Sequence, residues 1–436
     1  MTDLDSSQLV LSANISESET DLESPSDTYV SGTGDQPDVA GMRLLFVVDS
    51  KFPGPGGAES QARKLALCLR DAGAHIDFVA PANNFQEPSV IETEGFTVRK
   101  LRYPNIRFLG GLLVSANYAL YLLRHRKQYD AIHLHIAHQL AIITGFFKPL
   151  VPCPVVAKVS GYFEFVGVLN MDKPGRDLSG RFKRWCLHRL DFMQAISQET
   201  IVKLEAAGFD RRKIRFIPNG ISILPVGAGV ADRTADGGHA PTVFGYCGRM
   251  REVKGVHVLL DAFAEVLKQR PDDALLHIAG DGYTYFELQQ QAEQLGIADK
   301  VDFQGYQDDT AAFYNDITVY VQPSFAEGLP NSVLEAMNHS LPVVATRVGG
   351  NNDLVNDLQS GYLCVPGDTA ELTRLMLECL NAPSSALRKM GESGYALMYN
   401  TYGFASVTAA LGELYRGDPA TNAGVMQSDF SDDAAG

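Results

Sequence analysis

From Arg43 onward, short apolar runs alternate with amphipathic stretches. Leu44 to Val48 is an unbroken apolar run with the length of a buried strand. A loop rich in Gly and Pro follows. Then Ala62, Leu65, Ala66 and Leu69 recur at helical spacing, and Gly73 supplies the stop. Strand-like runs return at Ile76 to Val79, Ala131 to Ile136, Pro154 to Val159 and Lys213 to Ile217, with helical segments between most of them. The alternation pauses and restarts at Val243 to Cys247, followed by a helix with Val256, Leu259, Leu260, Phe263 and Leu267 on one side. Further strands are expected at Leu275 to Ala279, Val301 to Gln304, Val319 to Pro323 and Pro342 to Thr346. Strand–helix alternation of this kind predicts an α/β protein with parallel, doubly wound sheets.

The pause falls at residues 225–240, PVGAGVADRTADGGHA, which has no periodic apolar face and reads as a linker. It separates an N-terminal unit, residues 42–224, from a second, residues 241–400, in keeping with a 436-residue chain of two or three folded units. A helix over Tyr402 to Arg416 is apolar enough to dock. Residues 1–41 are low in aromatics, lack apolar periodicity and are expected to be a disordered tail, as are residues 417–436.

Charge looks acidic at first sight, with a net −15. The first 41 residues hold nine Asp and Glu and the last twenty hold four, with no Lys or Arg in either, so thirteen of the fifteen charges lie in the tails. The body is near neutral, and its basic residues form no nucleic-acid reading motif. The six cysteines are scattered, without a CxxC pair, which suits buried thiols in a reducing compartment. No basic start and apolar run marks a secretory signal, and neither Phe108 to Leu123 nor Ala131 to Phe147 is long and apolar enough to span a bilayer. A cytoplasmic protein is expected. The clusters Arg99, Lys100, Arg102 and Arg181, Lys183, Arg184, the second beside Trp185, fit either solvated faces or peripheral contact with an anionic inner membrane face.

Candidate chemistry gathers at strand ends, where open parallel sheets bind ligands. Gly54, Gly56 and Gly57 follow the first strand and open a helix: a tight turn, or bare amides facing an anion. The spacing to Lys64 is not that of a P-loop. Strand Val243 to Cys247 runs into Gly248, Arg249, Lys254 and Gly255, two cations and a helix start that suit a diphosphate, although either cation alone could be a solvated surface residue. Glu327, Gly328, Leu329, Pro330, Asn331 and Ser332 lead into a helix bearing Glu335. Glu335 could complete a capping box with Ser332, whereas Glu327 in its loop has no such duty and could bond substrate hydroxyls.

Together, Gly56, Gly57 and Glu59, Gly248 and Arg249 with Lys254 and Gly255, the run Ala279, Gly280, Asp281, Gly282, and Glu327 seven residues before Glu335 resemble the retaining family-4 glycosyltransferases. The resemblance covers about residues 43–416 and is most specific in SFAEGLPNSVLEAM followed by TRVGGNNDLV. It implies a GT-B fold: two Rossmann-like domains facing across a cleft, the first binding acceptor, the second holding a nucleotide-diphosphate-sugar, with residues 401–416 crossing back to the first. Arg249 and Lys254 would stabilise the departing diphosphate, Glu327 would contact sugar hydroxyls, Glu335 the ribose, and the amides of Leu329, Pro330, Asn331 and Ser332 the phosphates. Gly57 would approach from the opposite domain. The resemblance also implies retention of anomeric configuration without metal or other cofactor, the nucleotide-sugar being a substrate, and a carbohydrate, lipid-linked or small-molecule acceptor.

Two positions depart from the family pattern. Ser160 and Gly161 stand where many relatives carry a His, and Asp353 stands where relatives usually show Glu. His135, near the end of its strand, could line the acceptor side or be a core histidine. A GT-B epimerase or phosphorylase, or a degenerate sugar-nucleotide-binding protein, would share the cleft. Sugar transfer is favoured by the presence of Arg249, Lys254, Glu327 and Glu335 together.

Overall fold

The computed structural model describes residues 38–54, 56–82, 87–104, 106, 109–160, 178–225 and 241–417. Residues 1–37 and 418–436, residues 226–240 of the expected linker, and Gly161 lie outside the described residues.

The N-terminal unit is built on an eight-stranded sheet. Its strands are β1 (Arg43–Val47), β2 (His75–Ala82), β3 (Val90–Thr93), β4 (Phe96–Arg102), β5 (Ala131–Leu134), β6 (Val155–Val159), β7 (Phe192–Ala195) and β8 (Ile214–Phe216), in the order β3-β4-β2-β1-β5-β6-β7-β8. All pairs are parallel except β3 with β4. The second unit is a six-stranded parallel sheet of β9 (Thr242–Cys247), β10 (Ala274–Ala279), β11 (Val301–Gly305), β12 (Val319–Gln322), β13 (Val343–Thr346) and β14 (Gly361–Cys364), ordered β11-β10-β9-β12-β13-β14. Each sheet reverses direction once beside its first strand, between β1 and β5 and between β9 and β12. Those are the switch points at which such sheets open a crevice.

Four strands escaped the sequence pattern: β3, β4, β7 and β14. β4 carries Arg99, Lys100 and Arg102, and the short β7 buries Gln194, so neither reads as an apolar run. Lys100 is buried, its ammonium bonded to the Phe52 carbonyl and 3.8 Å from Glu87, and Arg99 lies over the Tyr121 ring. The first basic cluster is therefore largely committed to the fold rather than presented to a membrane. The acidic tail also ends sooner than expected. Val39 is fully buried in the cluster of Phe46, Phe78 and Phe96, and Gly41 N–H bonds to the Gly73 carbonyl at 2.9 Å, because the edge of that core needs an apolar cover.

Two crossovers join the units. The outgoing chain pairs with the returning one at Ile221 and Gly403, through Ile221 N–H to Tyr402 O at 2.8 Å and Phe404 N–H to Ile221 O at 3.0 Å. The returning helix, Phe404–Tyr415, buries Phe404, Val407, Leu411, Leu414 and Tyr415 in the first unit's core, and Tyr415 OH meets His133 Nδ1 at 2.7 Å. Ile196 and Ile221 pack in turn with Leu329, Leu354 and Tyr402 of the second unit.

Candidate active site

β9 leaves its sheet at Cys247 and turns through Gly248 and Arg249, supported by Tyr246 OH donating to the Arg249 carbonyl at 3.1 Å. The Arg249 side chain is exposed and pairs with no other described residue. The turn is tight because it shares space with the next strand end. Gly280 (φ +126°) lies so close that a Cβ there would stand 2.0 Å from the Gly248 carbonyl oxygen. Met250 N–H donates to Asp281 O at 2.9 Å, and Asp281 turns its carboxylate onto Gly282 N–H at 2.6 Å. Gly248, Gly280, Asp281 and Gly282 thus form one joint between the β9 and β10 loops.

Gly255 (φ +67°) performs the same service toward β12, where a Cβ would reach 2.1 Å from Pro323 O. That contact brings Lys254 to Glu327. The ammonium is 2.7 and 2.8 Å from the two carboxylate oxygens, and Gln322 and Ser324 each donate to Oε1 at 2.6 Å. Only 6% of the Glu327 side chain is exposed, against 25% for Lys254. These partners satisfy the buried carboxylate, and it holds the lysine at the strand end.

The helix after this loop, Asn331–Asn338, begins after Pro330 as N-cap, so Ser332 is its second residue and no capping box forms. Glu335 instead accepts from Tyr314 OH at 3.0 Å and sits 4.0 Å from Lys64 of the other unit. Leu329 and Pro330 are buried beneath the turn. The first-turn amides of Asn331 and Ser332 make no hydrogen bond to another described residue, as expected of a helix N-terminus left open for an anion.

Across the cleft the helix Gly57–Asp71 starts with Gly56 as N-cap. Its first residue faces the other helix start, since a Cβ on Gly57 would lie 3.2 Å from Asn331 Nδ2. Asn331 is also bridged by Gln61 at 3.3 Å and Asn219 at 2.8 Å. Two helix N-termini from two domains therefore meet at Asn331, and Lys254 joins them through Glu327 and Gln322, which accepts from Ser332 Oγ at 3.3 Å; Arg249 lies on the same loop after β9. Partial positive charge from both dipoles adds to that of the side chains.

The acceptor-side candidates fare differently. His135 is buried, stacked 4.2 Å from His133 and tilted against Phe46 at 4.4 Å, and its ring nitrogens have no hydrogen-bond partner among the described residues. Burial, then the charges of His133 and Lys158, push its proton affinity far down, so it is a neutral core ring. Ser160 lies at the sheet end with its hydroxyl 3.4 Å from the His135 carbonyl. The half-exposed histidine is His138, 3.5 Å from Asp49, whose carboxylate also accepts from Leu140 N–H at 2.8 Å. The sequence pattern missed Asp49, Gln61, Gln322 and Tyr314. Each is a single polar residue within an apolar stretch or helix face, and only the fold assigns its partner.

Two facing switch points with cations at one and open helix starts at both define a two-domain GT-B glycosyltransferase site. The comparisons name the family. Residues 55–223 match the model of Glycosyltransferase Family 4 and residues 236–397 that of Glycosyl transferases group 1. The chain belongs to the family-4 glycosyltransferases. It is 28% identical over 284 residues to a 2-deoxystreptamine glucosyltransferase of Streptomyces kanamyceticus, covering 62% of this chain and 72% of that one. It is 23% identical to the N-acetyl-alpha-D-glucosaminyl L-malate synthase of Bacillus anthracis, covering 84% and 94%. Among solved structures, Anabaena Alr3699/HepE in complex with UDP superposes with a TM-score of 0.68 at 22% identity, over 85% of this chain and 99% of that one. The sucrose-phosphate synthase of Thermosynechococcus elongatus superposes with 0.72 at 20% identity, over 86% and 98%.

Proposed function

We propose that this chain is a retaining, metal-independent glycosyltransferase without a resident cofactor. It would move a sugar from a nucleotide-diphosphate-sugar to a carbohydrate or lipid-linked acceptor in cell-surface polysaccharide or glycoconjugate synthesis. The carrying observation is the meeting of two helix N-termini between the domains beside Lys254, with Arg249 on the same loop after β9. In the reaction the anomeric carbon–oxygen bond to the diphosphate breaks, leaving negative charge on the phosphate and positive charge on the sugar. Cations fixed where the phosphate departs lower that barrier. The acceptor oxygen bonds to the anomeric carbon on the same face, and its proton passes to the departing phosphate oxygen, so no protein nucleophile is needed. Metal independence is supported by the cationic side chains Lys254 and Arg249 on the loop after β9, which could offset the diphosphate's charge. A uracil nucleotide as donor is supported by the UDP and UDP-glucose bound to the Anabaena neighbour.

The test is a thermal-shift panel of UDP-, GDP- and ADP-sugars against wild type and Lys254→Ala, followed by transfer assays of the stabilising donor with and without EDTA. One nucleotide-sugar should raise the melting point of the wild type by mass action and not that of the variant. The anomeric proton coupling of the product reports retention. Stabilisation by none of the donors would overturn the reading.

Work at the inner face of a membrane is part of this proposal. No helix among the described residues is long and apolar enough to cross one. The helix Leu178–His188, however, exposes Leu178 at 80%, Phe182 at 49% and Trp185 at 47%, and Phe146 joins the two rings at 6.0 and 6.4 Å. Arg181 and Lys183 lie on the same helix, and Arg189 covers the Trp185 ring at 4.5 Å. Aromatic rings ringed by cations suit the boundary of an anionic bilayer. Phosphatidylglycerol vesicles should float the wild type at low salt and release it at high salt, and Trp185→Glu should not float. Absence of flotation at low salt removes the membrane contact.

A further inference from the structure

Beyond β13 the chain turns into the short helix Asn351–Leu354. The turn is fastened to the loop that carries Glu327: Thr346 Oγ1 donates to Ser324 O at 2.6 Å, Gly350 N–H to Gly328 O at 2.7 Å, and Asn351 Nδ2 to Thr346 O at 2.9 Å. Motion of this turn would move the donor loop with it. From the turn Asp353 reaches out of its own domain, and its Oδ2 accepts the backbone N–H of Gln198 at 2.7 Å.

Gln198 opens the helix Gln198–Ala206 of the N-terminal domain, where Ser197 as N-cap already accepts from Thr200 N–H. A helix start leaves several amides without acceptors and carries partial positive charge, so a carboxylate there serves as both acceptor and counter-charge. The contact adjoins the crossovers. Tyr402 OH donates to Asp353 O at 3.4 Å, while Tyr402 O accepts from Ile221 N–H. Gln61–Asn331 and Lys64–Glu335 lie at the donor site itself; a contact beside the crossovers instead sets an angle. A helix cap serving stability alone needs no full charge where burial, with help from Glu199, pushes the carboxyl up to about 6.

We propose that Asp353 is a positioning residue: its carboxylate, docked on the N-terminus of Gln198–Ala206, fixes the angle at which the acceptor domain closes over the donor domain. Resting on the glycosyl-transfer reading of the cleft, it assigns Asp353 no contact with substrate. It acts by bringing Gly57 and its helix start to the diphosphate held by Arg249 and Lys254.

The experiment compares wild type with Asp353→Ala, Asp353→Asn and Asp353→Glu by three measurements. Amide exchange at Gln198 should quicken roughly ten- to a hundredfold in the Ala variant, the range for losing a hydrogen bond to a charged group. Small-angle scattering should show the Ala variant more open. Turnover of UDP-glucose should fall about tenfold or more while the Kd for UDP weakens much less, because Arg249, Lys254 and the Asn331 helix start remain on the second domain and only the Gly57 helix start is displaced. The Glu variant should recover most of the turnover, and the isosteric Asn variant, which keeps an acceptor without charge, should lie between. Wild-type turnover, exchange and scattering in both the Ala and Asn variants would overturn the proposal, as would UDP affinity falling in step with turnover. A wild type that turns over no nucleotide-sugar would defeat the transferase reading, while exchange and scattering would still decide the contact.

Discussion

Removing Lys254 should cost both stability and turnover, and the two losses should separate. In Lys254→Ala, Glu327 loses the ammonium that lies 2.7 and 2.8 Å from its oxygens and keeps only Gln322 and Ser324. With 6% of its side chain exposed, water cannot replace the lost partner well. Breaking a buried pair from one side costs about 3–5 kcal/mol. The quarter exposure of Lys254 admits some solvent at the vacated end, so roughly 2–3 kcal/mol is expected, or a melting transition lower by roughly 5–10 °C for a domain of this size. Turnover should fall by about a hundredfold or more, as when one transition-state electrostatic contact is lost. Adding Glu327→Gln removes the orphaned charge yet leaves an oxygen to accept from Gln322 and Ser324. The double variant should therefore regain most of the melting temperature and none of the turnover. Arg249→Ala is the matched control, losing turnover without melting earlier, since its exposed side chain pairs with no other described residue. Differential scanning fluorimetry and a transfer assay on the four proteins suffice. A Lys254→Ala protein that melts with the wild type, or a double variant no more stable than the single one, would refute the claim that this pair is held together by burial.

Gly280→Ala should destabilise by roughly 2–4 kcal/mol in denaturant titration, because a Cβ would sit 2.0 Å from the Gly248 carbonyl at φ +126°. Gly208→Ala, also at positive φ but with nothing within 4 Å, should cost only about 1 kcal/mol. The Asp353 carboxyl is raised from 3.8 to about 6, burial being the main cause. The folded state thus binds a proton that the unfolded state has already released. Stability should be fullest below pH 4 as far as this group is concerned and decline by roughly 3 kcal/mol as pH rises from 4 to 6. Asp353→Asn should abolish that decline and melt higher than wild type at pH 7.5 even while it turns over more slowly. Tyr415→Phe leaves His133 Nδ1 without its 2.7 Å partner in a buried site and should cost about 1–2 kcal/mol, read by chemical denaturation.

The sequence alone determined two α/β units, because buried parallel strands must be written as apolar runs and their covering helices as 3.6-residue stripes. It also marked Gly248, Arg249, Lys254, Glu327 and Glu335, since chemistry at strand ends is local in the chain and interrupts those patterns. It could not reveal β4 or β7, whose polar residues conceal their burial. Nor could it show that Lys254 and Glu327, 73 residues apart, share one bond pair. Only the tertiary structure withdrew His135 into the core beside Phe46 and His133, set the start of Gly57–Asp71 against Asn331, and carried Asp353 to Gln198, 155 residues away. Sequence periodicity encodes which face of an element is buried. Partners across a cleft depend on how two separately folded sheets meet, and that geometry arises from crossovers and loop joints distributed over the whole chain.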